Sequence, residues 1–221
     1  MDDDNLERIV PLLARVGISL GESQRMALMR YGELLNKWNR HIHLTGQRER
    51  LFSHHILDCS MSALPPLPVS PARAIDIGSG AGLPGVVLAI LRPDVQVDTM
   101  DTSTKKVNFL QVVAGELGLA NLTPRRADVR EWMAGEGAGL YDIAVSRAFA
   151  KVDALLALGL ELLMEGGELW AFKGRKLDEE RALVSSSVLS GFDPEPQEFP
   201  YDFPETGTGG VIAVYKRNRG S

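Results

Sequence analysis

A run of glycines constrains this fold more than any other feature of the sequence. Asp76-Ile77-Gly78-Ser79-Gly80-Ala81-Gly82-Leu83-Pro84-Gly85 follows a short apolar run, Ala74 to Ile77, and leads into a helical one, Leu83 to Leu91. Glycines permit a tight turn there and let the backbone approach a ligand, whose polar groups then meet free N–H groups at the helix N-terminus. A second apolar run, Val95 to Met100, ends at Asp101, where a carboxylate can accept hydrogen bonds from both hydroxyls of a ribose. The bland alternative is a glycine-rich turn beside a solvent-facing acid. Strand, helix and Asp101 standing in register argue against it. A dinucleotide fingerprint requires G-x-G-x-x-G, whereas Gly78, Gly80 and Gly82 are spaced G-x-G-x-G, which disfavours a dehydrogenase.

The rest of the chain is organised around this unit. Further short apolar runs at Leu122 to Pro124, Ile143 to Val145 and Glu168 to Phe172 alternate with helical stretches at Ser103 to Leu117 and Val152 to Met164. The order β-α-β-α-β-β-α-β implies an α/β fold with a mostly parallel, twisted sheet and helices on both faces. Upstream, a helix capped by Asn5 carries Leu6, Ile9, Val10, Leu13 and Val16 and stops at Gly17. A second spans about Glu22 to Trp38, with Met26, Met29, Leu34, Leu35 and Trp38 as its buried stripe, and a third about Glu49 to Ala63. Pro65, Pro66, Pro68 and Pro71 mark the clearest internal boundary, after a helical extension over residues 1–64. The end of the chain, from Phe192 to Phe203 and from Val211 to Tyr215 after Gly209-Gly210, reads as an antiparallel strand pair.

Charge and cysteine content narrow the function. The 24 Lys and Arg against 29 Asp and Glu leave a net charge of −5, which excludes a protein that grips a polyphosphate over its whole surface. One cysteine, Cys59, allows neither an internal disulfide nor a Cys-rich metal site. Met1-Asp2-Asp3-Asp4 has no positive n-region, and no 18-residue apolar run occurs. A cytoplasmic protein that crosses no membrane is expected.

The G-x-G-x-G variant resembles motif I of S-adenosylmethionine-dependent methyltransferases. Beyond it, Asp101-Thr102-Ser103-Thr104-Lys105-Lys106, Phe109-Leu110, Ser146-Arg147-Ala148-Phe149-Ala150 and Lys173-Gly174 follow in order. With Leu35, Trp38-Asn39, Leu44-Thr45 and His55-Ile56-Leu57-Asp58, the stretch from about residue 30 to 175 is similar to the RsmG family, also called glucose-inhibited division protein B. The resemblance implies a Rossmann-like class I methyltransferase domain over residues 65–221, forming one compact, monomeric unit with the N-terminal extension. It implies methylation of guanine N7 in the decoding region of 16S ribosomal RNA, with the small subunit or an assembly intermediate as partner. Carried over residue by residue, Gly78, Gly80, Gly82 and Leu83 would line the methionine and ribose of S-adenosyl-L-methionine. Asp101 would hold the ribose, Ala127-Asp128-Val129-Arg130 would flank the adenine, and Arg147 would stand at the mouth shared with the substrate. Departures fall on the substrate side: His54 replaces a basic residue, Cys59 a serine and His43 an asparagine, and Gly209-Gly210 stands where an arginine is expected.

Guanine N7 is an unprotonated lone-pair nucleophile, so this chemistry needs alignment rather than a general base, and none is assigned. Donors aimed at the O6/N7 edge are needed instead, with Arg147 the first candidate and Lys173 the second. The competing readings are an Arg147 salt bridge to Asp142 or another carboxylate, and a merely solvated Lys173. His54, His55 and Asp58 lack a convincing ligand set, and no metal is expected. The same fold could serve a protein or small-molecule acceptor, or survive in a noncatalytic nucleotide-binding assembly factor. Ser146-Arg147-Ala148-Phe149, in place of Asn/Asp-Pro-Pro-Tyr/Phe, argues against exocyclic amines. Six Arg or Lys between Arg25 and His55, all four histidines between 41 and 55, and groups at Lys173, Arg175, Lys176 and at Lys216, Arg217, Arg219 would supply a local basic mouth.

Overall fold

Asn5 begins the first helix as its sequence predicts: its side-chain oxygen accepts from the Arg8 N–H at 3.2 Å, satisfying an otherwise orphaned donor of α1 (Leu6–Arg15). The computed structural model describes residues 4–46, 48–174 and 176–219. The acids Asp2 and Asp3 and the basic Arg175 therefore lie outside the described residues. Helix α2 (Glu22–Trp38) has the expected bounds and buries Leu34 and Leu35 as expected, with Trp38 packed against the core, but the first part of the expected stripe is displaced. Leu28, Tyr31, Gly32, Leu34 and Leu35 are buried, whereas Met26 and Met29 are 64% and 47% exposed. The face is chosen by its partners: the Phe52 ring sits where a side chain on Gly32 would stand, and the Tyr31 hydroxyl donates to the Ala81 carbonyl at 2.8 Å. The third expected helix is broken into a 3₁₀ turn (Arg48–Arg50), a π-helical stretch (Leu51–Ile56), α3 (Leu57–Ser60) and a second 3₁₀ turn (Met61–Ala63).

Beyond the prolines the chain alternates as expected, through β1 (Ala72–Ile77), α4 (Gly85–Leu91), β2 (Val95–Asp101), α5 (Thr104–Leu117) and β3 (Leu122–Arg126). A short helix that the β3-to-β4 connection was not expected to contain, α6 (Val129–Ala134), precedes β4 (Tyr141–Arg147) and α7 (Val152–Leu162). Strand β5 (Leu163–Lys173) starts directly where α7 ends, so Leu163 and Met164 are strand rather than the last helical turn. Two more short helices, α8 (Leu177–Arg181) and α9 (Ser186–Leu189), lead to the terminal pair β6 (Gln197–Phe203) and β7 (Thr208–Lys216).

The seven strands lie in the order β3-β2-β1-β4-β5-β7-β6. The first five are parallel, and β7 runs antiparallel to both β5 and β6. Strand order reverses between β1 and β4, and the crevice beyond their carboxyl ends is where open α/β sheets bind ligands. Side chains alternate between two cores: Ala74 joins α1, α2, α4 and α5 on one face, while Ile75 and Ile77 join α7 on the other. A register irregularity between Tyr141 and Ile143 explains why these two residues, two apart, enter opposite cores. The N-terminal helices share the first core with α4 and α5. Among the described residues, no helix is long and apolar enough to cross a membrane.

Candidate functional site

The glycine loop closes the crevice from below. Ser79 ties it to β2, its hydroxyl donating to the Asp76 carbonyl at 2.8 Å and accepting the Met100 N–H at 2.7 Å. The Gly80 N–H donates to Asp101 Oδ2 at 3.0 Å, while Asp101 Oδ1 accepts the Ser103 N–H at 2.8 Å. Lys106 Nζ also donates to Asp101 Oδ2, at 3.4 Å, so Asp101 is fixed at the end of β2 with about one of its four lone-pair sites left over. At Gly82, φ is +90°, and a Cβ would stand 2.4 Å from a Val86 methyl and 2.7 Å from one of Leu110. Strain and overlap act together there. Gly82→Ala is expected to cost about 2–4 kcal/mol of stability, measured by chemical denaturation.

Beneath the loop, Asp76 is fully buried. Its Oδ2 accepts the Gly85 N–H at 2.9 Å, and its Oδ1 has no hydrogen-bond partner. Burial pushes its carboxyl up to about 7, against the pull of the Gly85 N–H. A carboxyl raised in this way favours the folded state while protonated and loses that contribution as pH rises through about 7. Burial lowers His54 and His55, whose contribution runs the other way and is lost as pH falls below the ordinary histidine range. Asp76→Asn is therefore expected to make stability rise more steeply with pH between about 4 and 7 than in the wild type. Denaturation midpoints at pH 5, 6 and 7 measure this; an unchanged pH profile contradicts it.

Two cavities open at the carboxyl edge of the sheet. The smaller, about 360 Å³, is bounded by Gly78, Met100, Asp101, Ala127, Val129 and Phe149, with Asp128 at its rim. It offers apolar walls for a purine and a carboxylate for a diol. Asp128 Oδ1 caps α6 by accepting the Arg130 N–H at 2.8 Å. Gly80 and Gly82 shape the loop rather than line this space, and Leu83 is buried in the core. Arg130 points away, onto an apolar groove between α6 and α7.

The larger cavity, about 770 Å³, contains Arg147, Lys173, His54, His55, Asp58 and Tyr201. Arg147, the last residue of β4, donates from Nε to Asp58 Oδ2 at 2.5 Å and from Nη2 to His55 Nδ1 at 3.2 Å. Its carboxylate partner is therefore Asp58 from α3, not Asp142, which instead accepts the Arg73 N–H. Asp58 Oδ1 accepts from the Tyr201 hydroxyl at 2.5 Å; burial and then the Asp58 charge push that phenol up, so it remains a donor. His55 Nε2 lies 2.9 Å from the Gly46 carbonyl and 2.8 Å from Thr45 Oγ1. A neutral ring protonated at Nε2 satisfies both sides, with Nδ1 accepting from Arg147. The π-helical turn brings His55 and Asp58 onto one guanidinium, a use typical of such turns at functional sites.

Lys173 is not a solvated strand end. Its Nζ donates to the Ala150 carbonyl and to Glu180 Oε2, each at 2.8 Å, and Glu180 also accepts the Val152 N–H at 3.0 Å. Burial alone would raise the Glu180 carboxyl, but Lys173 and the Val152 N–H lower it on balance. The pair clasps the loop after β4. Lys216 and Arg217 lie at the far end of the sheet, where Lys216 faces Glu168 and the Arg217 N–H donates to the Gly167 carbonyl. That basic group contributes nothing to the mouth. Thr45, Phe149, Glu180 and Tyr201 join the site without having been singled out as site residues from sequence. Thr45 and Phe149 lie within the Leu44-Thr45 and Ser146 to Ala150 motifs, whereas Tyr201 arrives from the terminal hairpin with no local signal.

The family model described as rRNA small subunit methyltransferase G matches residues 24–192. The chain belongs to this family. Curated relatives named ribosomal RNA small subunit methyltransferase G include one from Chromohalobacter salexigens, 41% identical over 178 residues that span 80% of this chain and 82% of the relative. Another, from Laribacter hongkongensis, is 40% identical over 80% of this chain and 83% of its own length. Among solved structures, M. jannaschii TYW2 in complex with AdoMet superposes with a TM-score of 0.60 at 17% identity, covering 81% of this chain and 80% of that one. The fold is the Rossmann-like class I methyltransferase fold, and the rRNA small subunit methyltransferase G family is S-adenosylmethionine-dependent.

Proposed function

We propose that the chain transfers a methyl group from S-adenosylmethionine to N7 of a guanine in 16S ribosomal RNA, acting as a cytoplasmic monomer on the small subunit or an assembly intermediate. The observation that carries this reading is the common wall of the two cavities. Ala148 and Phe149 line both, so a nucleoside in the smaller and a base in the larger meet across a single short segment. The residues fit the cofactor: Asp101 can accept from ribose hydroxyls, Met100, Ala127 and Val129 can enclose adenine, and the unpartnered Asp76 Oδ1 lies buried under the glycine loop.

When bound, the cofactor supplies a methyl group activated on a sulfonium. The chain's own task is to present the target lone pair in line with it and exclude water. No side chain need remove a proton, because N7 carries none. Arg147 is the donor at the mouth, and its pairing with Asp58 matters chemically: methylation makes the purine cationic, and an unpaired guanidinium would oppose that charge. Lys173 serves by holding the loop after β4. Incubating the protein with methyl-labelled cofactor and, separately, naked 16S RNA, small subunits and assembly intermediates lacking the mark tests the reading. Label in RNA supports it and ranks the substrates; label in none of them contradicts it.

A further inference from the structure

Phe149 stands at the centre of the site without a hydrogen bond or charge to explain its place. The residue is 47% exposed and borders both cavities of the site as well as the apolar groove beside α7. A lone exposed aromatic is ordinary on a protein surface. Three further facts set this one apart. Ala148 has φ +56°, the sole positive φ at a non-glycine among the described residues, and such strain persists where surrounding structure holds it for a purpose. The loop is clamped just beyond the ring, at the Ala150 carbonyl by Lys173 and at the Val152 N–H by Glu180. Gly78 leaves the ring its place, since a Cβ there would stand 2.2 Å from Phe149 Cδ2. A strained turn, a two-point clasp and a missing side chain thus fix one half-bare ring between the cofactor and substrate cavities.

We propose that the target guanine lies face-on against Phe149 during transfer, and that the ring stabilises the positive charge the base acquires. This rests on the methylation of guanine N7 inferred above and adds a positioning residue to it. In the step, the N7 lone pair forms the new C–N bond while the methyl–sulfur bond breaks with its electron pair left on sulfur. No proton moves. The base becomes cationic and the donor a neutral thioether. Stacking fixes the plane of the purine and leaves its N7 edge directed at the methyl group. The negative π-face of the ring then interacts more strongly with the cationic product-like transition state than with neutral guanine, the differential binding that accelerates a step. Arg147, neutralised by Asp58, can hold the O6 edge without opposing this charge.

The test compares Phe149→Leu, Phe149→Tyr, Phe149→Trp and a graded series of ring-fluorinated phenylalanines at this position, using unmethylated small subunits and labelled S-adenosylmethionine. Because the side chain is half exposed, these variants are expected to keep the wild-type melting temperature. Phe149→Leu is expected to lose about 10- to 100-fold in kcat/KM for subunits, with the cofactor dissociation constant within about 2-fold of wild type. Tyr and Trp retain activity within about 3-fold. The single-turnover rate at saturating subunits falls stepwise with fluorination, by up to about 10-fold, as the quadrupole is drained. Wild-type turnover in Phe149→Leu overturns the proposal. So does a weaker cofactor complex with an unchanged KM for subunits, which would make the ring a cover for the cofactor. If the wild type itself labels no RNA, the proposed function fails and this inference with it, an outcome distinct from an active wild type matched by an active Phe149→Leu.

Discussion

Asp58→Ala is expected to lower stability by about 3–5 kcal/mol, or about 6–20 °C in Tm for a chain of this size. The carboxylate meets two groups from distant parts of the chain, the Arg147 guanidinium at the end of β4 and the Tyr201 hydroxyl in β6. Their side chains are largely sequestered, 17% exposed for Arg147 and 13% for Asp58. Removing the acid leaves a guanidinium without its counter-charge and a phenol without its acceptor, so the desolvation already incurred is no longer offset. Asp58→Asn keeps the shape and one acceptor oxygen and should lose less. Activity should fall further than stability explains, because Arg147 would face the developing purine cation with its full charge. Thermal melting together with kcat/KM at a temperature where both variants are folded separates the two effects. A Tm within 2 °C of wild type would show that the pair is energetically idle.

The second large effect concerns the cofactor. Asp101→Ala is expected to weaken S-adenosylmethionine binding by about 10- to 100-fold, the consequence of stranding ribose hydroxyls that had a charged acceptor. It also releases the Gly80 N–H and the Ser103 N–H, so the loop and the start of α5 lose an anchor. Asp101→Asn keeps one acceptor and should fall between the two. Isothermal titration with the cofactor measures this; unchanged affinity in Asp101→Ala would remove Asp101 from the binding site.

The glycine loop, the place of Asp101 and the alternation of strands with helices were legible because each follows from a local pattern: a turn that needs glycine, a strand ending in an acid, and short apolar runs separated by helical ones. What the sequence could not supply were consequences of packing. Met26 and Met29 have the right spacing to extend the stripe of Leu34, Leu35 and Trp38, yet Gly32 accepting Phe52 and Tyr31 reaching Ala81 bury Leu28 and Tyr31 in their place. Helix α6 is too short to show a period. Arg147 was identifiable as a mouth residue, but its partner Asp58 lies 89 positions earlier in sequence, and Tyr201 lies 143 positions beyond Asp58. Charge shows the same division. The net −5 excludes a chain coated in nucleic acid, whereas only the structure separates Arg147 and Lys173 at the mouth from Lys216 and Arg217 at the opposite end of the sheet.

Locating the transferred methyl group decides what the protein does. Small subunits from a strain lacking the modification are incubated with the protein and S-adenosylmethionine, and their 16S RNA is cleaved chemically at 7-methylguanine. One new cleavage is expected, at a single guanine in the decoding region and absent without cofactor. Label that enters RNA without a 7-methylguanine cleavage, or that enters protein alone, would contradict it.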